Sequence, residues 1–129
     1  MIEAMLKITI PIDCGNSPKM EFLKQFNIAF AESNTSFLLE SVVDDITWNI
    51  LGDRLINGKT EFSAELDRMK SEAPTELIIE KIITHGKLGA VNGIMKMPNE
   101  KSYAFSDIYE FSTAKGSKIA TITSYVIAV

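Results

Sequence analysis

Hydrophobic and polar positions alternate most regularly in the segment Ser102–Phe111, whose sequence is SYAFSDIYEF. Because successive side chains of a strand point to opposite faces, this pattern predicts a strand with four aromatic residues and one carboxylate on a single face. These residues are Tyr103, Phe105, Asp107, Tyr109 and Phe111. A face this rich in aromatic residues normally looks into a core or a ligand cavity. Asp107 must therefore find a partner there, stay protonated or lie at the wet mouth of a pocket.

Three more segments in the second half of the chain have the pattern of strands, and turn residues separate them. The predicted strands are Glu76–His85, Ala90–Met97 and Ile119–Val129, and the turns are 86–89, 98–101 and 114–117. Short turns join neighbouring antiparallel strands, so these segments and Ser102–Phe111 together predict a four-stranded antiparallel meander.

The first half of the chain carries apolar residues at helical spacing in three places. A first helix is predicted from Ser17-Pro18 to about Glu32, since proline favours the first helical position. A second, shorter helix follows the break at 33–35 and carries apolar residues as far as Val43. Thr60 is predicted to cap a third helix, which ends before Pro74.

Two shorter segments of the first half are predicted to be strands. The run 6–12 alternates, but Pro11 restricts it to the edge of a sheet. The segment 46–51 alternates with Trp48 on the apolar face, and a loop is predicted to follow it up to Gly58. Helices followed by a meander predict the α+β class.

Composition restricts the classes of function. At 129 residues the chain fits one domain, predicted over 1–129. A net charge of −4 with scattered basic residues argues against a nucleic-acid partner, and no apolar run is long enough to cross a membrane. One cysteine and a start unlike a signal peptide favour the cytoplasm. Nothing in the sequence predicts a metal site or a cofactor.

The order of elements resembles the nuclear-transport-factor-2-like superfamily, and within it the SnoaL-like branch of small bacterial proteins. The segments DDITWNILGD, GKTEF and AFSDIYEFSTAKGSKIATITSY carry the resemblance, which runs from Ser17 onward and leaves 1–16 as an added strand and turn. It implies a cone-shaped, barrel-like sheet wrapped over three helices, as in cystatin-like folds. It also implies an apolar cavity open at one end and a homodimer formed through the outer sheet face.

The resemblance carries Asp107 onto the oxyanion-hole aspartic acid of the ketosteroid isomerases, a carboxyl kept protonated so that it donates a hydrogen bond. Other positions depart from that enzyme. Its catalytic base would fall at Asn49 or Ile50, and its oxyanion tyrosine would fall among the phenylalanines of the first helix. The water-activating Asp–Arg–Asp set of the epoxide hydrolases is not expected either, because the arginines, Arg54 and Arg68, are predicted on a loop and a helix.

Three functions stay open from the sequence. The first is an isomerase, cyclase or hydrolase-like enzyme that uses Asp107 as an acid or hydrogen-bond donor, with Tyr109 and His85 as candidate helpers. His85 would then meet Asp107 across the meander, whereas the alternative is a half-exposed turn histidine. The others are a carrier of a small, largely apolar molecule and an interaction module on the outer sheet face. Ligand contacts are predicted at Phe26, Phe30, Trp48, Ile50, Phe105 and Tyr109, and the outer face at Val91, Met95, Ile122 and Val126.

Overall fold

Three helices and seven strands make up the computed structural model, which describes residues 6–10, 13–15, 17–115 and 118–129. The helices are α1 (Pro18–Glu32), α2 (Thr35–Glu40) and α3 (Gly58–Met69), and a 3-10 turn at Lys70–Glu72 follows α3. The strands are β1 (Lys7–Thr9), β2 (Val42–Ile50), β3 (Arg54–Asn57), β4 (Glu76–His85), β5 (Leu88–Lys96), β6 (Ser102–Phe111) and β7 (Ile119–Ala128). None of the described helices is long and apolar enough to span a membrane.

All seven strands form one sheet in the order β1-β4-β5-β6-β7-β2-β3. The predicted meander is confirmed, since β4 to β7 pair antiparallel in sequence order. The sheet as a whole is mixed, because β1 runs parallel to β4 and β2 runs parallel to β7. It is an open sheet with edges at β1 and β3, so the barrel-like closure that the resemblance implied is absent from the described strands.

Capping residues explain where the first two helices begin and end. Ser17 Oγ accepts a hydrogen bond from the backbone N–H of Met20 at 3.2 Å, and Pro18 follows at the first helical position. Ser33 ends α1 in the left-handed conformation, with φ 58°, and Asn34 then caps α2. The second helix is shorter than predicted: residues 42 and 43 already belong to β2, where Val42 is fully buried.

The segment after β2 was predicted to be a loop, but it forms the strand β3 and the first residues of α3. Residues 54–57 pair antiparallel with the end of β2, which a turn at 51–53 makes a hairpin. Gly58 then takes φ +85°, a conformation that residues with a side chain rarely adopt, and α3 starts there instead of after Thr60. The Glu61 carboxylate accepts a hydrogen bond from the N–H of Asn57 at 3.0 Å and so satisfies the start of the helix.

The helices pack on one face of the sheet, with α1 against β4 and β5 and α3 against β2 and β3. The prediction for the outer face is wrong, because all four residues assigned to it point inward. Val91 and Ile122 are buried in the core, and Met95 and Val126 line the cavity on the helix side. The outer face instead exposes Ile83, Ile108, Tyr125 and Ile127.

Candidate functional site

A cavity of about 490 Å³ lies between the helices and the inner face of the sheet. Most of its wall is apolar, with four aromatic side chains and three methionines: Phe30, Trp48, Tyr103, Phe105, Met69, Met95 and Met97. The polar side chains of its sheet and α1 walls are Asn27, Asp107 and Ser124. The charged groups Asp53, Arg68 and Glu72 are about half exposed, so they mark the mouth. Small-molecule sites in proteins commonly have this composition, with a few polar groups in an apolar pocket.

Strand pairing places Asp107 at the centre of the sheet. Its neighbours in register are Val91 on β5 and Ser124 on β7, and residues paired in this way point to the same face. On the far side of β7, Trp48 of β2 lies in register with Ile122. The alternation of β6 therefore directs Asp107 inward, and the pairing of β7 brings Ser124 and Trp48 beside it.

One string of hydrogen bonds reaches Asp107 from α1. The Asn27 amide nitrogen donates to the Leu23 carbonyl oxygen at 2.9 Å and to Tyr109 Oη at 3.1 Å. A carbonyl can only accept, which fixes the nitrogen as the amide atom at this position. The Tyr109 hydroxyl accepts from Asn27, and its own proton is directed to Asp107 Oδ2 at 3.3 Å.

A second string runs from β2 toward Asp107. The indole N–H of Trp48 donates to Ser124 Oγ at 2.9 Å. An indole nitrogen can only donate, so the serine hydroxyl accepts this bond and keeps its own proton for another acceptor. Ser124 lies in register with Asp107 on the neighbouring strand, and its hydroxyl lowers the pKa of that carboxyl. The string from α1 therefore ends on Asp107 as the acceptor, and the string from β2 ends on the serine beside it.

Removal from water raises the pKa of Asp107 from 3.8 to about 6, even though the bonds from Ser124 and Tyr109 lower it. The pKa of Tyr109 is raised well above its usual 10, first by burial and then by the neighbouring Asp107 charge. The phenol thus keeps its proton at neutral pH and remains a donor. With a pKa of about 6, Asp107 is mostly ionised at neutral pH and can accept a proton or a hydrogen bond.

The cavity lining contains a second buried carboxylate, Glu65 of α3, whose side chain is only 5% exposed. Its oxygens accept hydrogen bonds from Arg54 at 2.9 Å and from Arg68 at 2.5 Å. Glu65 thus has two guanidinium partners. Asp107 has none in any salt bridge of the described residues.

The sequence matches no protein-family model and no curated protein. Solved structures do resemble the chain. An NTF2-like protein of unknown function from Burkholderia xenovorans matches 84% of this chain and 82% of its own, with a TM-score of 0.71 and 20% identity. The fold is NTF2-like.

Other structures with the NTF2-like fold have assigned or suggested activities. An epoxide hydrolase of Mycobacterium tuberculosis matches 84% of this chain and 82% of its own, with a TM-score of 0.71 and 15% identity. A SnoaL-like protein of the polyketide cyclase type from Shewanella denitrificans matches 86% and 92%, again with a TM-score of 0.71 and 15% identity. At these identities the similarity establishes the fold and not a shared reaction.

Four of the six residues predicted to contact a ligand line the cavity of this NTF2-like fold: Phe30, Trp48, Ile50 and Phe105. Phe26 does not line it. Its ring is fully buried in the core, where it packs edge-on against Phe30 and Tyr109. Tyr109 is also buried, and it reaches the site only through the hydroxyl that donates to Asp107.

His85 does not line the cavity, so the pairing with Asp107 that the enzyme hypothesis would require does not occur. It is exposed at the end of β4, where it pairs in register with Leu88 and, through β5, with Glu110. Glu110 lies an odd number of residues from Asp107 on β6, so the two side chains point to opposite faces of the sheet. The alternative, a turn histidine open to solvent, fits its position.

Sequence reasoning missed Asn27 and Ser124, although both left a signal. Asn27 follows Leu23 by one helical turn on the apolar face of α1, and Ser124 replaces an apolar residue between Ile122 and Val126 on β7. A polar residue on an otherwise buried face needs a hydrogen-bond partner. Arg68 was also set aside as a helix residue, yet it lines the cavity mouth.

The described residues offer no cluster of three or more histidine, cysteine, aspartate or glutamate side chains that could hold a metal ion.

At the position of the isomerase base, Ile50 lines the cavity and Asn49 does not. Among the residues lining the sheet wall, Asp107 is thus the one carboxylate that faces the cavity interior.

Proposed function

We propose that this protein binds a small, largely apolar molecule in the cavity and that Asp107 contacts it as a proton or hydrogen-bond acceptor. The observation that carries the proposal is the direction of one hydrogen bond: the Tyr109 hydroxyl donates to this carboxylate, which makes Asp107 an acceptor. The apolar wall supplies affinity, and the single inward carboxylate supplies orientation. Isomerase-like, epoxide hydrolase and cyclase-like proteins with the same fold support a small-molecule role.

In the enzymatic form of this proposal, Asp107 is a general base. A carboxyl with a pKa of about 6 is ionised at neutral pH and still basic enough to take a proton in a transition state. The protonated, donating form carried over from the isomerases has less support, because the Tyr109 hydroxyl already directs its proton to Asp107. A base of this strength suits reactions in which a proton is removed from an acidic C–H bond of the substrate or from an attacking water.

Nitrobenzisoxazole tests for such a base without knowledge of the natural substrate. A base removes its ring C–H proton, the electron pair forms a nitrile and the N–O bond breaks, which releases a coloured nitrophenolate. We expect saturable turnover whose rate rises with pH through an inflection near 6, because only the ionised Asp107 can take the proton. Asp107→Asn should lower the rate by about two orders of magnitude or more, in line with the usual contribution of general-base catalysis.

Asp45→Asn is the matched control, since this carboxyl is exposed on β2 outside the cavity. Its turnover should equal that of the wild type. A rate that Asp107→Asn leaves unchanged, or that lacks the inflection, would contradict the base assignment.

A non-catalytic carrier is the second candidate, and one observation favours it. Enzymes of this kind need at least two polar groups converging on the reacting atoms. Here the Tyr109 hydroxyl donates to Asp107, and no second charged side chain of the described sheet wall converges with that carboxylate. Saturable ligand binding without Asp107-dependent turnover would support the carrier.

We also propose that the protein is a cytoplasmic homodimer, formed through the outer sheet face. A groove of about 500 Å³ on that face is lined by Ile83, Tyr125 and Ile127, which are exposed, and such an apolar surface favours association. Asn92 lines the same groove, and its side-chain oxygen is buried without a donor among the described residues. Glu80 and the adjacent Lys81 let two copies of one face place opposite charges together. The compartment rests on the single cysteine alone.

Light scattering at micromolar concentration tests the dimer. Ile127→Lys should give a monomer, because a charge would be buried at the centre of the interface. Leu55→Lys, at an equally exposed apolar position on β3, should leave the dimer intact. A monomeric wild-type protein would rule out this assembly.

A further inference from the structure

The carboxylate of Asp107 faces the cavity without a positively charged partner among the described residues. Its contacts are the neutral hydroxyls of Tyr109 and Ser124, and no Lys, Arg or His of a described ion pair reaches it. Withdrawing an ionised carboxylate from water costs free energy unless an opposite charge comes close. A ligand that brings its own positive charge would offset that cost.

The other charges around the cavity are also mainly negative. Asp53, Glu65 and Glu72 line it, against the single guanidinium of Arg68. That guanidinium is held by Glu65 at 2.5 Å and lies 3.7 Å from Glu72, so it is not free to bind an anion. The cavity lining therefore has four carboxylates, and even when Arg54 is counted with Arg68 there are only two guanidinium groups to balance them. The carboxylates are those of Asp53, Glu65, Glu72 and Asp107. A cleft with an excess of one sign concentrates ligands of the opposite sign.

Aromatic rings surround the approach to the carboxylate. Trp48 is connected to Asp107 through Ser124, and the Phe30 ring lies 5.4 Å from the Trp48 ring at 65°. Phe105 precedes Asp107 by two residues on the same strand face, about 7 Å away. Ring faces attract cations, and tryptophan is the strongest of the three aromatic side chains in this respect. A carboxylate among aromatic rings is therefore suited to an organic cation.

From the unpaired carboxylate, the aromatic wall and the negative lining, we infer that the ligand is a small lipophilic amine, bound as its ammonium cation with Asp107 as counter-ion. The inference rests on the proposed binding function and names its ligand class. The ammonium group donates to the carboxylate, which can accept more hydrogen bonds than the one that Tyr109 donates. The hydrocarbon part then contacts Phe30, Trp48 and the methionines of the wall.

Three compounds with one carbon skeleton test the charge of the ligand: phenylbutylamine, phenylbutanol and phenylbutyrate. They carry a positive, a neutral and a negative end group on the same apolar body. Trp48 is the only tryptophan and lines the cavity, so its fluorescence reports binding, and calorimetry gives the affinity. At about pH 7.5 we expect phenylbutylamine to bind about tenfold more tightly than phenylbutanol, and phenylbutyrate to bind most weakly.

Lowering the pH supplies a test that needs no variant. At about pH 5 Asp107 takes up a proton, given its pKa of about 6, whereas an alkylammonium keeps its charge. The preference for the amine should therefore shrink toward onefold. The affinity for phenylbutanol should stay level or rise, because a protonated carboxyl can donate to its hydroxyl.

Asp107→Asn removes the counter-ion and nearly preserves the shape. The variant should lose the tenfold preference for the amine and keep its affinity for phenylbutanol within about twofold. Asp45→Asn changes the net charge equally but lies outside the cavity, and it should keep the preference. If Asp107→Asn fails to fold, as a thermal melt would reveal, the pH comparison on the wild type decides.

The outcomes separate this inference from the function on which it rests. Equal affinity for the amine and the alcohol overturns the amine assignment while binding of a small apolar molecule stands. Tighter binding of phenylbutyrate overturns it as well and moves the assignment to an anion. Absence of binding by all three compounds contradicts both the inference and the proposed function.

Discussion

Two carboxylates line the same cavity and have opposite surroundings. Glu65 on α3 is 5% exposed and accepts hydrogen bonds from two arginines. Asp107 on β6 accepts a hydrogen bond from a tyrosine, lies beside a serine, and is in no ion pair of the described residues. Glu65 is buried and Asp107 is partly buried, yet only Glu65 has its charge balanced within the protein.

The difference is the one expected between a structural charge and the functional charge proposed for Asp107. A buried carboxylate held by guanidinium groups is internally compensated, and it fixes the elements that carry its partners, here β3 and α3. An uncompensated carboxylate at an open cavity destabilises the folded state at neutral pH, a cost that proteins accept at functional sites. This contrast supports the proposal that Asp107, rather than Glu65, contacts a ligand.

The largest expected effect is on the pH dependence of stability in Asp107→Asn. The folded-state pKa of about 6 exceeds 3.8, so the favourable contribution of the bound proton is fully present below pH 3.8 and is lost as pH rises through about 6. Between about pH 4 and pH 7.5, the free energy of unfolding of the variant should gain up to about 3 kcal/mol relative to the wild type. Urea unfolding of both proteins across this range measures the difference.

Asp45→Asn should be measured in parallel, because it shows what the change in net charge does by itself. If Asp107→Asn instead loses stability at pH 7.5 and not at pH 4, Asp107 is a well-paired structural carboxylate. The contrast with Glu65 would then disappear.

A smaller effect of opposite sign is expected for Glu65→Gln. The amide keeps the shape but leaves the guanidiniums of Arg54 and Arg68 with one acceptor oxygen between them. We expect a loss of about 2 kcal/mol in the free energy of unfolding at neutral pH, less than for a fully buried pair because both arginines are about half exposed. Asp44→Asn removes the fully exposed partner of Lys59 and should change stability little. Equal losses in the two variants would show that Glu65 is not special.

The contrast between Glu65 and Asp107 was only half visible in the sequence. Alternation along β6 placed Asp107 among inward aromatic residues correctly, and apolar spacing located α1, because each pattern is local in the chain. The two arginines of Glu65 could not be assigned, since Arg54 lies in a strand that turn residues disguise as a loop. The β2–β3 hairpin is short, and its position depends on the pairing of β2 with β7. That pairing cannot be predicted from the local sequence pattern.

The residues of the outer face could not be assigned from the sequence either, because their assignment depends on strand register. Val91 and Ile122 are apolar strand residues, and their identity does not say which face of the sheet they occupy. Their face is decided by the pairing of β5, β6 and β7, in which Val91 shares a rung with Asp107 and Ile122 shares one with Tyr109. The partners Asn27 and Ser124 were missed for a related reason. They come from elements far apart in sequence: Asn27 reaches Asp107 through Tyr109 once the sheet has formed over α1, and Ser124 lies beside Asp107 once β6 and β7 pair.

The smallest expected effect comes from removing a hydrogen-bond donor to Asp107, which tests how the charge of Asp107 is held in the absence of the arginines that Glu65 has. Tyr109→Phe removes the hydroxyl that donates to Asp107, a bond that lowers the pKa of the carboxyl, so this pKa should rise above about 6. The amide nitrogen of Asn27 also loses an acceptor, and we expect a stability loss of about 1 kcal/mol. Carboxyl carbon NMR of Asp107 follows its titration directly. Tyr103→Phe is the matched control: Tyr103 lines the same cavity, and none of its described hydrogen bonds involves Asp107, so the midpoint should not move. An unchanged midpoint in Tyr109→Phe would mean that the hydrogen bonds running from α1 through Tyr109 do not stabilise the ionised form of Asp107, and that burial alone sets its pKa.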